Sequence, residues 1–369
     1  MNKKRIIYIS WTRADYGLMR NFLLNLNKIP EIQLDIIATW MHLSYNFWYT
    51  LQNIINDWLN VYRIYSNIDW WDLLAMTQSV WFWIIWIAQK IDELKPDLVI
   101  IEWDRYEALA WAIAASHQNI PIVHQWGWDI WSSIDNKIRF AITALSDYHF
   151  VWNPESYNRL IKMWYKNVFN FWEPGLDDIY ENNFFKNENK ILNKYNLKWK
   201  KYIIAIFHPN TYEFNQLKDI LKWYIGSLKN LAKKYKILVI WSNSDAWWIL
   251  INNELSNIKN IKFILSIERE EFLTLMKNCY FMIWNSSSAI VELPSFKKFA
   301  VNIWTRQEWR LRANNIIDVW YDYNDILKWI EIVEKKIKNW EEKNIVNPYY
   351  NGWFTKQAIK KILEILKIK

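Results

Sequence analysis

The chain has 369 residues, of which 52% are hydrophobic, and 46 Lys and Arg against 38 Asp and Glu give it a net charge of +8. Such a composition excludes a disordered chain, and the length predicts two domains that each bury their own core. The single cysteine, Cys279, excludes a disulfide framework and a Cys-based metal site, and it suits a reducing compartment, so we expect a cytoplasmic location.

The distribution of charge also restricts the partners. The lysines are scattered and form no basic stripe with interleaved aromatic residues, so we expect an anionic small substrate rather than a nucleic acid. The apolar run after Arg5 is short and meets Arg13, which argues against a secretory signal. The uncharged stretch Leu73–Gln89 contains Thr77 and Ser79 and is short for a membrane span, so it predicts a buried helix and no membrane partner.

Short β-rich runs alternate with helical patterns in the first half of the chain, which is typical of parallel α/β sheets. Strands are predicted at Arg5–Ser10, Leu34–Thr39, Asp97–Glu102, Pro121–Gln125, His149–Trp152 and Val168–Trp172. Helices are predicted at Gly17–Leu26, Met76–Leu94, Tyr106–His117, Ile134–Leu145 and Pro154–Met163.

The pattern starts again after a polar linker with a short helix, Glu181–Lys200. Strands are predicted at Tyr202–His208, Ile237–Trp241, Ile261–Leu265, Phe281–Trp284, Phe299–Ile303 and Ile316–Val319. Helices are predicted at Phe214–Tyr235, Glu270–Asn278, Ala289–Phe296, Tyr323–Asn339 and Phe354–Lys367. We therefore expect domains at 1–175 and 176–352, a last helix within 353–369, and a ligand cleft at the carboxyl ends of both sheets.

Tryptophan and glycine are used in unusual proportions. The chain contains 29 tryptophans and 5 glycines, whereas glycine normally makes up about 7% of residues. Trp11, Trp103, Trp241, Trp284 and Trp304 each end an apolar run just before a polar cluster, where nucleotide-binding sheets use glycine to turn tightly. We hypothesise that many of these positions are UGA codons that are read as glycine. The alternative is a protein genuinely rich in tryptophan, and UGG at codons 103, 284 and 304 would support it.

Several polar clusters at strand ends have the chemistry of an anion site. Asn285–Ser288 opens a predicted helix. Free backbone N–H groups, the hydroxyls of Ser286 and Ser287 and the helix dipole would all favour phosphate there. The alternative is that the serine only caps the helix, as serine often does. Glu292 in the same helix could bind ribose hydroxyls, or its negative charge could simply stabilise the helix by interacting with the helix dipole. The arginines of these loops suggest a phosphate clamp, although each alone fits a surface ion pair. They are Arg13, Arg105, Arg306 and Arg310.

A second set of polar residues could move protons. Asp104, Asp129 and Asp135 lie at or just beyond adjacent strand ends, so they can converge, as proton abstraction beside an anomeric carbon requires. The alternative is that Asp104 and Asp135 only cap the helices that follow. His208, at the end of the first strand of the second half, is a further candidate, although a lone histidine is more often structural.

Taken in order, these clusters resemble the motifs of the hydrolysing UDP-N-acetylglucosamine 2-epimerases, which begin sialic and legionaminic acid synthesis. That family reads Gly-Thr-Arg-Ala-Asp/Glu-Tyr-Gly, Gly-Asp-Arg-Tyr-Glu, His-Pro-x-Thr, Asn-x-Asp-Ala-Gly, Gly-Asn-Ser-Ser-x-Gly and Gly-x-Arg-Gln-x-Gly-Arg. This chain has Trp11-Thr-Arg-Ala-Asp-Tyr-Gly17, Trp103-Asp-Arg-Tyr-Glu107, His208-Pro-Asn-Thr211, Asn243-Ser-Asp-Ala246, Trp284-Asn-Ser-Ser-Ser288 and Trp304-Thr-Arg-Gln-Glu-Trp-Arg310. Tryptophan replaces family glycine at positions 11, 103, 128, 247, 284, 304 and 309, which supports the recoding hypothesis.

The resemblance implies a GT-B-like α/β fold, with two Rossmann-type parallel-sheet domains, a cleft between them, and a last helix that crosses back to the first domain. It implies elimination of UDP and then hydration with inversion at C2, without metal or cofactor, in a homo-oligomer (a dimer or tetramer). Asp104, Asp129 and Asp135 would transfer protons. The remaining site residues would orient the substrate, bind UDP and stabilise the departing charge; they are Arg13, Arg105, His208, Asp245, Ser286, Ser287, Glu292, Arg306 and Gln307.

Departures from the motifs leave the sugar open. Phe140, Ala144 and Ala289 replace the usual His, Lys and Gly, and Asp129 stands where many members have Glu. Three other functions remain as alternatives: a non-hydrolysing epimerase, a GT-B glycosyltransferase, and an inactive nucleotide-sugar binding module, which genuine tryptophans would favour. Thr12-Arg-Ala-Asp15 argues for hydrolysis, because non-hydrolysing relatives carry Thr-Arg-Pro-Glu at that loop.

Overall fold

The computed structural model describes residues 3–45, 49–65, 73–130, 135–181, 183–208, 216–241, 248–258, 261–303, 305–319 and 323–368. The chain divides into two compact units. Unit 1 comprises Met1–Ile130, Ile134–Asp178 and Tyr349–Lys369, and unit 2 comprises Trp131–Ser133 and Ile179–Pro348.

Unit 1 is built on a parallel sheet. Its described strands are β1 (Lys4–Ser10), β2 (Ile32–Thr39), β3 (Asn60–Ile64), β4 (Leu98–Glu102), β5 (Ile122–Gln125), β6 (Tyr148–Val151) and β7 (Val168–Asn170). They form a seven-stranded sheet in the order β3-β2-β1-β4-β5-β6-β7. The central strands are apolar and buried because helices cover both faces, as in other parallel sheets. The carboxyl ends of β1, β4 and β5 therefore lie side by side.

The helices of this unit connect successive strands. They are α1 (Arg13–Leu26), α2 (Leu51–Asn56), α3 (Leu73–Leu94), α4 (Tyr106–His117), α5 (Asp135–Ala144), α6 (Pro154–Lys162) and α7 (Leu176–Tyr180). Helix α1 begins at Arg13 rather than at the predicted Gly17 because Thr12 and Asp15 form a capping box. The segment predicted as a loop is thus the first helical turn.

Unit 2 repeats the architecture with a second parallel sheet. Its described elements are α8 (Glu188–Lys194), β8 (Tyr202–Ile206), α9 (Leu217–Leu231), β9 (Lys236–Ile240), α10 (Trp248–Ser256), β10 (Lys262–Ile264), α11 (Arg269–Asn278), β11 (Met282–Trp284), α12 (Ser288–Val291), β12 (Ala300–Ile303), β13 (Ile316–Val319) and α13 (Tyr323–Lys338). The strands lie in the order β10-β9-β8-β11-β12-β13. The carboxyl ends of β8, β11 and β12 are adjacent, so the loops that follow them meet.

The last helix, α14 (Phe354–Ile365), belongs to unit 1 although its sequence follows unit 2. Phe354 packs edge-on against Phe22 of α1, with ring centroids 5.5 Å apart, and Ala358 and Ile362 are buried in the same core. The Asp177 carboxylate caps α14 by accepting hydrogen bonds from the backbone N–H groups of Phe354 and Thr355. The end of the chain therefore completes the first core.

The α/β fold class predicted from the sequence is confirmed, and a few elements differ. Strand β3 and helices α2, α7 and α10 are additional to the prediction. The helix predicted over Ala289–Phe296 is one α-turn, α12, followed by a 3-10 turn at Leu293–Phe296, because Pro294 has no N–H to continue the helix. Within the described residues, none of the helices has the length and apolar character needed to cross a membrane.

Candidate active site

The best-defined candidate site of unit 1 is an ion pair just beyond the end of β4. Asp104 is buried and pairs with Arg139 of α5, whose side chain is fully buried. Burial raises the pKa of Asp104 to about 6, although the positive charge of Arg139 opposes this increase. A carboxyl group with such a pKa can gain or lose a proton close to neutral pH, which is the property that a general acid or base needs.

The same arginine brings Asp129 next to Asp104. Arg139 donates a hydrogen bond to the carbonyl oxygen of Asp129, and its guanidinium lies 5.6 Å from the centre of the Trp126 ring. The buried Asp129 carboxylate accepts a hydrogen bond of 3.2 Å from the Trp126 indole N–H. Arg139 therefore connects the Asp104 carboxylate to the backbone of Asp129.

Asp135 is the third predicted carboxylate, and it is the first residue of α5. It is half-buried, and its negative charge contributes to the raised pKa of Asp104. Because like charges oppose each other's ionisation, the charge of Asp135 favours the protonated form of Asp104. Arg139, which the sequence analysis had not singled out as a site residue, thus pairs with the Asp104 carboxylate, contacts the backbone of Asp129 and lies in the helix that Asp135 begins.

A buried histidine fixes the backbone in front of Asp104. His124 Nε2 lies 2.9 Å from the carbonyl oxygen of Trp103, and His124 Nδ1 lies 3.0 Å from Thr143 Oγ1. Burial lowers the pKa of His124 to about 3, so the ring is neutral and positions the loop without adding a charge. His124 opens the segment His124-Gln-Trp-Gly127, and its position near the end of the buried strand β5 was the available signal in the sequence.

The loop after β1 is fixed by a buried polar network. The Asp15 carboxylate accepts 3.0 Å hydrogen bonds from the backbone N–H groups of Trp11 and Thr12 and from Ser10 Oγ. Ser10 Oγ lies 2.8 Å from His42 Nε2. Burial raises the pKa of Asp15 to about 7 and lowers the pKa of His42 to about 3. This neutral histidine was missed in the sequence, where it is an isolated residue in an irregular segment.

The two candidate arginines of unit 1 lie at helix N-termini. Arg13 is the first residue of α1, which corrects the expectation of a loop, and its charge contributes to the lowered pKa of His42. Arg105 is the N-cap of α4; it contacts Glu107 at 3.3 Å and lies over the Trp40 ring at 4.8 Å. Both cations are therefore placed beside the strand ends that carry Ser10 and Asp104.

In unit 2, Asn285 holds the predicted His208 in place. The Asn285 side chain accepts a 2.7 Å hydrogen bond from the His208 backbone N–H and donates one of 2.8 Å to the His208 carbonyl oxygen. Both residues are buried. Because one amide satisfies both backbone groups, the chain after β8 is locked to the chain after β11. The motif that contains Asn285 was recognised, but this connecting role was not.

The candidate residues after β12 meet at the same asparagine. Arg306 Nη1 and Gln307 Nε2 each donate a 2.9 Å hydrogen bond to the Asn285 carbonyl oxygen. Gln307 Oε1 accepts a bond of 3.1 Å from Arg310, which is buried rather than in an exposed loop. Three separate strand-end loops of unit 2 therefore converge on Asn285.

The serine segment differs from the predicted anion site. Ser286 and Ser287 are half-buried and precede a single helical turn, so the dipole of α12 is small. Glu292 lies at the end of that turn, which corrects its predicted position in the first turn of a helix. Its buried carboxylate pairs with Arg269 at 3.2 Å, which fixes its orientation. Asp245, the rest of its Asn243–Ala246 motif, and the tryptophans at 247 and 304 lie outside the described residues.

The two units thus present different chemistry. Unit 1 offers carboxylates beside a buried arginine, which can move protons, and unit 2 offers histidine, arginine, amide and hydroxyl groups that suit an anion. In the part of the chain that the structure describes, no group of three or more His, Cys, Asp or Glu side chains is arranged to hold a metal ion.

Comparison with known proteins gives a consistent result. A family model described as UDP-N-acetylglucosamine 2-epimerase matches residues 24–367. The chain is 34% identical to the UDP-N,N'-diacetylbacillosamine 2-epimerase (hydrolyzing) of Legionella pneumophila, over 88% of this chain and 87% of that protein. It is 32% identical to the GDP/UDP-N,N'-diacetylbacillosamine 2-epimerase (hydrolyzing) of Campylobacter jejuni, over 91% and 89%.

A solved structure shares the fold. The UDP-GlcNAc 2-epimerase from Neisseria meningitidis bound to UDP-GlcNAc superimposes with a TM-score of 0.81 at 19% identity, covering 98% of this chain and all of that one. This likeness identifies a GT-B-like fold, and each unit contains one Rossmann-type parallel sheet.

Proposed function

The chain belongs to the UDP-N-acetylglucosamine 2-epimerase family, and on this premise we propose that it is a hydrolysing 2-epimerase. Its substrate is UDP-N-acetylglucosamine or the 2,4-diacetamido analogue, and its products are UDP and the free sugar inverted at C2. The observation that carries this proposal is the buried Asp104, with its raised pKa, held by Arg139 beside Asp129 and Asp135.

The reaction has two steps. In the first, a carboxylate removes the C2 proton while the bond between C1 and the UDP oxygen breaks, which leaves a 2-acetamidoglycal. In the second, water adds its hydroxyl to C1 and a proton is delivered to C2 from the opposite face. The sum is one nucleotide sugar and one water converted to UDP and one free sugar. Each step needs a proton donor and a proton acceptor, and a cluster of carboxyl groups can supply both.

The carboxylates of unit 1 are suited to these transfers. Burial keeps Asp104 close to a balance between its two protonation states, and Asp135 lies near enough to influence that balance. Arg139 compensates the negative charge of Asp104 when that carboxylate is ionised, so Asp104 can change its protonation without leaving a buried charge unpaired. Arg13 and Arg105, at neighbouring strand ends, are proposed to orient the anionic substrate.

The candidate residues of unit 2 are proposed to hold UDP. Arg306 and His208, both anchored by Asn285, would stabilise the negative charge that develops on departing UDP, and preorganised cations and donors are effective in that role. Glu292 would accept hydrogen bonds from ribose hydroxyls. The remaining members of the proposed UDP site are Ser286, Ser287, Gln307 and Asp245.

Two observations support hydrolysis and the choice of sugar. The loop Thr12-Arg-Ala-Asp15 lacks the proline of non-hydrolysing relatives, and Asp15 forms a buried capping box in that loop. Two relatives above 30% identity have names that contain both hydrolyzing and diacetylbacillosamine. We therefore propose the 2,4-diacetamido sugar nucleotide as the first substrate to assay, with UDP-N-acetylglucosamine beside it.

The substitution Asp104→Asn tests the proposed proton transfer. It removes the titrating group while keeping nearly the same shape, so we expect UDP to bind with nearly unchanged affinity and turnover to be lost. Asp92→Asn, at an exposed position of α3, is the matched control and should retain full turnover. UDP affinity is measured by calorimetry and turnover by UDP release. Full activity of Asp104→Asn would exclude Asp104 from the mechanism.

A further inference from the structure

The backbone conformation of the tryptophans is unusual for their residue type. Ten of the seventeen non-glycine residues that the structure describes with positive φ are tryptophan. Positive φ is uncommon for any residue with a Cβ and favours asparagine or aspartate when it occurs, whereas glycine adopts it freely. The ten tryptophans have φ between 45° and 78°; they are Trp40, Trp58, Trp103, Trp126, Trp128, Trp164, Trp172, Trp199, Trp309 and Trp340.

One of these tryptophans occupies a position that helices reserve for glycine. After α6, the N–H of Tyr165 bonds to the carbonyl oxygen of Leu160, and the N–H of Trp164 bonds to that of Ile161. This is the Schellman arrangement, whose left-handed residue is usually glycine and sometimes asparagine. The equivalent position after α8 is Asn196, with φ of 57°. The backbone at Trp164 is therefore that of a glycine C-cap.

Packing does not explain the left-handed tryptophans. Trp58, Trp164 and Trp199 are 91%, 91% and 93% exposed, so their indoles bury almost nothing that could offset an unfavourable backbone conformation. A residue of this size at a strained and exposed position has neither a packing nor a conformational reason to be there.

Three others lie beside the candidate catalytic carboxylates. Trp103 directly precedes Asp104, and Trp126 and Trp128 closely precede Asp129. The Trp103 ring lies 5.9 Å from the Trp126 ring. Among the described residues, the buried indole N–H of Trp103 lacks a hydrogen-bond partner, which is itself unfavourable. At Trp103, the backbone conformation and the unpaired indole N–H both disfavour tryptophan.

We propose that the functional protein carries glycine at these ten positions, and that the space now filled by the indoles of Trp103, Trp126 and Trp128 receives the sugar of the substrate. The first part rests on backbone geometry alone. The second part rests on the proposed function, because it places the ligand against Asp104 and Asp129. Without the indoles, both carboxylates and the backbone before them become accessible to a small polar ligand.

Peptide mass spectrometry of the protein isolated from its native source tests the first part directly. We expect peptides that span positions 103, 126, 128, 164 and 309 to carry glycine there. Tryptophan at these positions in the native protein would overturn the inference. The measurement does not depend on activity, so it is independent of the proposed function.

Matched substitutions in the full chain test the physical cause. Glycine and alanine variants at the exposed positions Trp58, Trp164 and Trp199 remove the same indole, but alanine keeps the Cβ that disfavours positive φ. We expect each glycine variant to melt about 2–4 °C above its alanine partner. Equal melting temperatures for the glycine and alanine partners would contradict the assignment.

A third comparison tests the second part. The triple variant with glycine at 103, 126 and 128 should bind or turn over the UDP-sugars. The triple alanine variant also lacks the indoles, so the ligand can reach it equally well, but it should be less stable than the glycine variant. If the native protein carries glycine and the triple glycine variant binds no UDP-sugar, the placement of the sugar is wrong, while the residue assignment stands.

Discussion

At the scale of single residues, the balance at Asp104 is the central feature of unit 1. Burial favours the neutral carboxyl, whereas Arg139 favours the carboxylate, and the result is a pKa of about 6. This pKa lies above the ordinary value of 3.8. Between pH 3.8 and about 6, the folded protein therefore keeps a proton on Asp104 that the unfolded chain has already released. The stability contributed by the neutral form is therefore complete below pH 3.8 and is lost as the pH rises through about 6.

This balance predicts how stability depends on pH. Asp104→Asn stays neutral, so its free energy of unfolding relative to the wild type should increase between pH 4 and 7, by about 2–3 kcal/mol in total. Urea unfolding at a series of pH values measures the difference, and Asp92→Asn should follow the wild type throughout. A constant difference between Asp104→Asn and wild type would mean that Asp104 has an ordinary pKa.

At the scale of elements, the strand ends of unit 2 are connected by a single asparagine. Asn285→Ala leaves the buried N–H and carbonyl groups of His208 without their partner, so we expect a loss of about 2–4 kcal/mol in the free energy of unfolding. Asn285→Asp keeps the acceptor for the His208 N–H but sets a buried carboxylate against the His208 carbonyl oxygen, so it should also be destabilised. Chemical denaturation measures both, and an alanine variant as stable as wild type would contradict the role of Asn285.

The sequence predicted helices and strands correctly where the apolar pattern was long. It misplaced them where local hydrogen bonding, such as a helix cap, sets the end of the element. Helix α4 and strand β13 agree with the prediction to the residue. Helix α1 was predicted to begin at Gly17, because the Thr12–Asp15 capping box was interpreted as a functional loop. Contacts such as Asp104 with Arg139 join distant segments, and no periodicity could predict which cation would reach the carboxylate.

At the scale of the whole molecule, unit 1 is completed by a segment from the end of the chain. Phe354→Ala should cost about 3–5 kcal/mol, because the ring is buried and packs against Phe22. Lys356→Ala, on the exposed side of α14, should change stability by less than about 0.5 kcal/mol. The stability change of each variant is measured from the midpoint of its chemical unfolding. Equal losses for the two variants would mean that α14 does not contribute to the core.

The account as a whole is tested most directly by a proton NMR time course in deuterated water. The full chain, with glycine at the ten left-handed tryptophans, is mixed separately with UDP-N-acetylglucosamine and with its 2,4-diacetamido analogue. We predict that one of them yields free sugar inverted at C2, with deuterium at C2, together with an equal amount of UDP. An epimerised nucleotide sugar that keeps its UDP, or no change with either substrate, would contradict the proposed hydrolysing epimerase.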